Sequence, residues 1–172
     1  MLSRVDYLIL SAMTALSVLI LAAAGRFAPE ITPDTGGYLA ALDFPNPLAH
    51  PRAPFYGWLI AVLDFGRGRY IAVPAFQIAT YFAAAWLFVA ALRGYGLSRR
   101  ATLSVGVALL FGNALLLVSH NVHPEFPAIT CALLAFAGTV HLAAPRPRWW
   151  GDRKSTRLNS SHTSVSRMPS SA

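Results

Sequence analysis

The sequence predicts an all-α fold: a polytopic membrane helix bundle of four spans, with two short interfacial helices in its first outer loop. Three observations carry this prediction. The chain of 172 residues is 55% apolar and only 12% charged, where a soluble domain carries about twice that charge. Four uncharged apolar runs, at 7–24, 71–92, 101–118 and 126–143, are 18 to 22 residues long, and a bilayer core takes about 20 residues as a helix. The arginines between these runs alternate in a way that one orientation satisfies. A lone cysteine, Cys131, excludes a disulfide scaffold. The net charge of +7 does not imply nucleic acid as a partner, because residues 1–151 balance ten arginines against six acids and hold no lysine. The partner that composition implies is the membrane.

The first span, 7–24, is flanked by Arg4, Asp6 and Arg26. A second reading of this segment is a cleaved signal peptide, with Arg4 as the charged start and the alanines at 22–24 as the cleavage site. Either way the following loop, 25–70, lies outside. The second span, 71–92, ends at Arg93, and the short loop after it also holds Arg99 and Arg100. The third span, 101–118, leads into the loop 119–125, which has no Arg or Lys. The fourth span, 126–143, carries Pro127 in its first turn, where a missing N–H costs little. Arg146, Arg148, Trp149 and Trp150 follow it. The positive-inside rule then places the N-terminus, the Arg93–Arg100 loop and the end of span four in the cytoplasm, with loops 25–70 and 119–125 outside.

Residues 152–172 stand apart. They hold seven serines against six in the preceding 151 residues, and the only lysine. One reading is a disordered basic tail. The other is an artefact: residues 152–162 and 166–172 match, in order, the translation of a common short-read sequencing adapter on either side of a barcode-length gap. On that reading the tail falls outside the fold, and residues 1–151 are the N-terminal part of a longer chain.

The chemistry is expected in the first outer loop, which is long for a simple connection. Asp34 can cap a short helix over Tyr38, Leu39 and Leu42. Pro45, Pro47, Pro51 and Pro54 then force an extended strap bearing His50 and Arg52. After it, Phe55, Trp58, Leu59 and Val62 recur at helical spacing in a run too short to cross a bilayer. Loop 119–125 brings His120, His123 and Glu125 to the same face. Ionisable groups gathered at a membrane boundary are functional candidates, whereas the bland reading makes Asp34 a helix cap and the two histidines loop polars. His120, His123 and Glu125 are also of metal-ligand type, although their spacing specifies no metal. His141 lies on the opposite side and is expected to pack between helices. No P-loop, dinucleotide fingerprint, zinc spacing or long repeat is present.

The order of these features resembles the N-terminal part of the GT-C glycosyltransferases, the multispan group that includes protein O-mannosyltransferases, aminoarabinose transferases and Rgt-type sugar transferases. In that group the first outer loop carries an essential acid, often as Asp-Glu-x-x-Tyr. Here Asp34 and Tyr38 match, and Thr35 stands at the second acid. The family's strap is similar to Lys-Pro-Pro-Leu-Tyr-Tyr-Trp. Here RAPFYGW aligns, with Arg52 at the basic position and Pro54, Tyr56 and Trp58 retained. Glu125 fits an acid that often opens a later span. The resemblance covers residues 1–145 and rests on motif order rather than on one motif.

The resemblance implies transfer of a sugar from a polyprenyl-phosphate carrier to a lipid or glycan acceptor at the outer face. Asp34 is then the expected general base, with Glu125 positioning the acceptor or a divalent cation. Arg52 is expected on the carrier phosphate, with Tyr38, His50, Tyr56, His120 and His123 around the substrate. The resemblance fixes no cofactor, and a divalent cation is compatible. The fragment is expected to bind carrier without turning it over. Arginine in place of lysine fits a GC-rich bacterial gene, hence a bacterial inner membrane. The rival class is a non-enzymatic membrane protein, either half of a transporter or an assembly subunit. Transporters hold ionisable groups near the midplane on broken helices, whereas the four spans here contain no Asp, Glu, Arg or Lys.

Overall fold

The computed structural model describes residues 2–40, 54–64, 68–112, 115 and 119–144. Among them are six helices: α1 (Arg4–Ala23), α2 (Pro33–Ala40), α3 (Pro54–Asp64), α4 (Ala72–Tyr95), α5 (Arg99–Leu110) and α6 (Glu125–Ala143). The described residues contain no strand beyond an isolated parallel bridge between Glu30 and Asn121. Three helices, α1, α4 and α6, are long and apolar enough to cross a membrane.

Helix α1 starts where its local chemistry dictates. The Ser3 hydroxyl accepts from the Asp6 backbone N–H, and the Asp6 carboxylate accepts from the Ser3 backbone N–H at 2.9 Å. This reciprocal box satisfies two N–H groups that a helix start leaves unpaired. The same carboxylate, almost fully buried, takes the Arg99 guanidinium at 2.6 Å. That contact ties the start of α1 to the start of α5. It also neutralises an arginine that the positive end of the α5 dipole would otherwise disfavour. Eleven residues further along both helices, the Ser17 hydroxyl donates to the Leu110 carbonyl at 2.6 Å. Two contacts at matching intervals fix α1 and α5 as parallel neighbours.

Helices α4 and α6 form the most extensive pair. The core gathers Leu10 and Leu21 from α1, Ile78, Tyr81, Phe82, Ala85 and Val89 from α4, Leu110 from α5 and Phe126 from α6. Gly106 of α5 lets α1 come close: a Cβ there would stand 3.1 Å from Leu10 Cδ2 and 3.7 Å from Val89 Cγ2. Small residues at such crossings allow the backbone approach that drives packing where no hydrophobic effect operates. Large apolar side chains on the outside, including Leu8, Leu19, Phe136 and Leu142, suit a hydrocarbon surrounding rather than water.

The expected span at 101–118 takes a different form. Its described helix stops at Leu110 after 12 residues, because Phe111 leaves helical geometry at φ −124°, ψ 10°. A 12-residue helix rises about 18 Å, short of a bilayer core. Residues 113–114 and 116–118 of the expected span lie outside the described residues. The carbonyls stranded at the helix end are satisfied from neighbouring helices, Leu110 by Ser17 and Leu109 by the Tyr81 hydroxyl at 2.9 Å. Such repair is what a helix end needs when little water reaches it. The four-span arrangement is therefore described as three long helices and one shorter helix.

The two short helices expected in the first loop are present as α2 and α3. They pack against each other and against the start of α4 through Tyr38, Leu39, Tyr56, Ile60 and Val73, with Val122 completing the cluster. Asp64, at the end of α3, turns the chain into α4. Its carboxylate accepts backbone N–H bonds from Gly68, Arg69 and Tyr70 at 2.5, 3.0 and 2.8 Å. The strap bearing His50 and Arg52 lies outside the described residues, as does the tail at 152–172.

Candidate functional site

The end of the bundle that carries α2 and α3 is built around residues 119–123. This short stretch of non-helical backbone is wedged between the first loop and α4. Its carbonyls alternate in direction, as extended backbone does. Those of His120 and Val122 point to the first loop, accepting from the Glu30 N–H at 3.0 Å and the Thr35 hydroxyl at 2.8 Å. The Val122 N–H returns a bond to the Glu30 carbonyl at 3.0 Å. The carbonyls of Ser119 and Asn121 point to α4, where the Gln77 amide nitrogen donates to both at 3.3 Å while its oxygen accepts from the Tyr56 hydroxyl at 3.0 Å. Gln77 is 1% exposed. Burial pushes the Tyr56 phenol above its usual range, so Tyr56 is held neutral as a donor. Buried backbone must find such partners, and here Gln77 and Thr35 supply them from opposite sides.

This scaffold fixes His123. Its Nε2 lies 3.2 Å from Asp34 Oδ2, and its Nδ1 lies 3.7 Å from Glu125 Oε1 without forming a hydrogen bond. The Tyr38 ring meets the His123 ring edge-on, with centroids 6.2 Å apart, and meets Tyr56 the same way at 5.3 Å. Asp34 therefore does not act as the cap that precedes α2. The helix begins at Pro33, which places Asp34 within the first turn with its carboxylate on His123. Thr35, where the resembling family carries a second acid, is fully buried. Its hydroxyl also accepts from the Thr32 N–H at 3.2 Å. The group beside Asp34 is thus an imidazole from the other loop.

His120 belongs to a separate cluster. Its Nε2 lies 2.7 Å from Glu30 Oε2, and the Arg26 guanidinium reaches its Nε2 and Nδ1 at 2.8 and 3.3 Å. The expected convergence thus divides in two: Asp34, His123, Glu125 and Tyr38 meet, while His120 faces Arg26 and Glu30. The described residues hold no three His, Cys, Asp or Glu side chains placed to hold one metal ion, and His120 in particular turns away from His123. His141 lines an apolar groove of about 790 Å³ at the other end of the bundle, between α1, α4 and α6.

Sequence reasoning missed Gln77, Arg26 and Glu30. Gln77 carried a signal, being the only amide in the apolar run 71–92. Arg26 and Glu30 carried none beyond their charge.

The class that fold and site define is an all-helical protein with three apolar helices of membrane-spanning length and a His–carboxylate site at one end of its bundle. Compared with known proteins, the chain matches no family model, no curated protein and no solved structure.

Proposed function

We propose that the chain is the N-terminal part of a GT-C-type membrane glycosyltransferase, acting at the outer face on a sugar carried by a polyprenyl phosphate. The observation that supports this most is the meeting of Asp34 and Glu125, 91 positions apart in sequence, on either side of His123. Two carboxylates beside an imidazole at a membrane boundary suit deprotonation of an acceptor hydroxyl. Asp34 takes the acceptor proton as general base, and His123 orients the carboxylate. The acceptor oxygen bonds to the anomeric carbon, and the bond from that carbon to the carrier phosphate breaks. The electron pair leaves with the polyprenyl phosphate, whose charge Arg52 offsets. The groove between α1, α4 and α6 and the apolar outer faces offer the lipid chain an apolar path.

The test starts from the intact gene, recovered by long reads across the Gly151 junction. A frame that runs on past Trp150 into further apolar spans supports both the longer-chain reading and the adapter reading of residues 152–172. In that full-length protein, reconstituted with a polyprenyl-phosphate sugar, Asp34→Asn is expected to lower the transfer rate by at least about a hundredfold, within the usual range for removal of a general base. Activity retained in Asp34→Asn sinks the assignment.

One observation favours the rival transporter class. Helix α5 stops inside the bundle with its carbonyls bound by side chains of other helices, as transporter half-helices do. The groups at that break, Ser17 and Tyr81, are neutral hydroxyls, so the break supplies no charge for coupling an ion. Uptake of a solute by proteoliposomes holding the protein, without sugar transfer, would decide for that class.

A further inference from the structure

The apolar groove at the end of the bundle opposite Asp34 is shaped by what its walls lack. Helix α6 packs on α4 and α1 packs on α5, so α1 and α6 stand apart over α4. The groove between them measures about 790 Å³, inside the range of about 300–1,000 Å³ that small-molecule sites occupy. Tyr7 of α1, Leu87 of α4 and Leu134 of α6 line it, each about half exposed. Gly94 of α4 and Gly138 of α6 also face it, and a Cβ at either position would meet nothing within 4 Å. Neither glycine serves a close helix approach, as Gly106 does. Gly138 lies inside a helix, where glycine is destabilising relative to alanine, and what it leaves there is open space.

Charge at the mouth of the groove is of one sign. Arg4 stands one turn before Tyr7 on the same side of α1. Arg93 directly precedes Gly94, and Leu2 lines both the groove and the small pocket that holds Arg93 and Arg99. Asp6 is the only acid at this end among the described residues, and Arg99 already takes it at 2.6 Å. Arg4 is exposed, with no carboxylate beside it among the described residues. His141, on the α6 wall, adds a ring N–H that can donate to an oxygen.

We propose that this groove holds one anionic phospholipid, with an acyl chain against α4 and its phosphate at Arg4 and Arg93. The walls lie within the lengths of α1, α4 and α6 that can cross a membrane, so hydrocarbon is the solvent there. A groove left unfilled forfeits dispersion contacts, and an acyl chain restores them. Basic groups between membrane helices at the end that the positive-inside rule assigns to the cytoplasm select anionic head groups. A sugar carrier with its phosphate at the Asp34 end would offer this end hydrocarbon alone and leave the arginines unanswered. The inference needs the three long helices in a bilayer and does not depend on sugar transfer.

The test places the full chain in nanodiscs of phosphatidylcholine and phosphatidylglycerol in equal parts, releases it, and weighs it intact by native mass spectrometry. One phosphatidylglycerol per chain is expected to stay bound, with little phosphatidylcholine. Gly138→Leu puts a side chain into the open space without striking a neighbour, so the bound lipid is expected to be lost while helix content and thermal unfolding stay native. Gly94→Leu repeats the test from the α4 side. Arg4→Gln is expected to keep the groove occupied and to lower the preference for phosphatidylglycerol about fivefold, the factor for one basic group near a lipid surface. Phosphatidylglycerol retained in both leucine variants, or equal retention of the two lipids by the native chain, overturns the proposal. A lipid-free dimer overturns it too, because a second copy would then cover the groove. So does displacement of phosphatidylglycerol by an equal amount of polyprenyl phosphate, which would make the groove the carrier's.

Discussion

Thr35 stands in the sequence where a second acid belongs in the resembling family, and its surroundings explain why it cannot be one. It is fully buried, with its hydroxyl bonded to the Val122 carbonyl at 2.8 Å. Thr35→Val keeps the shape and loses the hydroxyl's bonds to the Val122 carbonyl and from the Thr32 N–H, a cost of about 1–2 kcal/mol. Thr35→Glu buries a larger side chain and an unpaired charge, so it is expected to destabilise by several times that amount. Thermal unfolding of both variants in the same detergent checks the order, and a Thr35→Glu variant as stable as native would mean that this position tolerates an acid. Gln77 makes a related point. Gln77→Leu removes the donor to the Ser119 and Asn121 carbonyls, of which Asn121 keeps the His123 N–H at 2.9 Å, and leaves the Tyr56 hydroxyl without its partner. The expected loss is about 1–3 kcal/mol for a buried unsatisfied group. The expected local sign is faster amide exchange in residues 119–123 with α4 itself unaffected. At this scale the sequence revealed residue types but not partners. Asp34, His123 and Glu125 were legible as candidates because charge at a membrane boundary is rare. Their pairing was not legible, because 89 positions separate Asp34 from His123 and no periodicity spans that gap. His120 looked equivalent to His123, and only the alternation of residues 119–123 sends it to Arg26 and Glu30 instead.

Among the elements, hydropathy runs located α1, α4 and α6 to within three residues at each end, and the two short helices expected on either side of the proline-rich stretch are α2 and α3. The early end of α5 was hidden for a physical reason. The run 101–118 is uncharged throughout, and hydropathy measures transfer into lipid, not hydrogen-bond continuity. The signal lay in Gly112, where a Cβ would stand only 2.5 Å from the Ala108 carbonyl oxygen. The match between α1 and α5 was equally invisible, since it depends on Asp6 meeting Arg99 and Ser17 meeting Leu110 at equal intervals. Gly106 lies between those two contacts and sets how close the helices come. Gly106→Val drives branched methyls into Leu10 and Val89, and overpacking of this kind costs about 1–3 kcal/mol. Leu10→Ala alone leaves a cavity. Combined with Gly106→Val it makes room for the valine, so the double variant is expected to be more stable than the sum of the single effects requires. Simple additivity in unfolding measurements would mean that the two helices do not meet at this point.

On the scale of the whole molecule, the arrangement of charge and apolar surface makes a statement about sidedness that no single residue carries. The Arg26–His120–Glu30 and Asp34–His123–Glu125 clusters share the end of the bundle with α2 and α3, while Arg93, Arg99 and Arg100 gather at the other end of α4. Helix α4, 24 residues and about 36 Å long, separates them. Its length and apolar character mean that a bilayer crossed by α4 puts the two ends in different compartments, and the positive-inside rule predicts that the arginine-rich end is the cytoplasmic one. Cysteine labelling tests this directly, because Cys131 is the only native thiol. In a Cys131→Ser background, Ala28→Cys places a thiol on the exposed loop beyond α1, and Arg100→Cys places one on the exposed start of α5. A membrane-impermeant maleimide applied to intact cells is expected to label Ala28→Cys, and to label Arg100→Cys only after permeabilisation. The opposite pattern would invert the orientation and put the carboxylate site in the cytoplasm, where the carrier reading fails. Labelling of both without permeabilisation would mean that α4 does not cross the membrane at all, and the apolar faces of α1 and α6 would then need a protein partner rather than lipid to cover them.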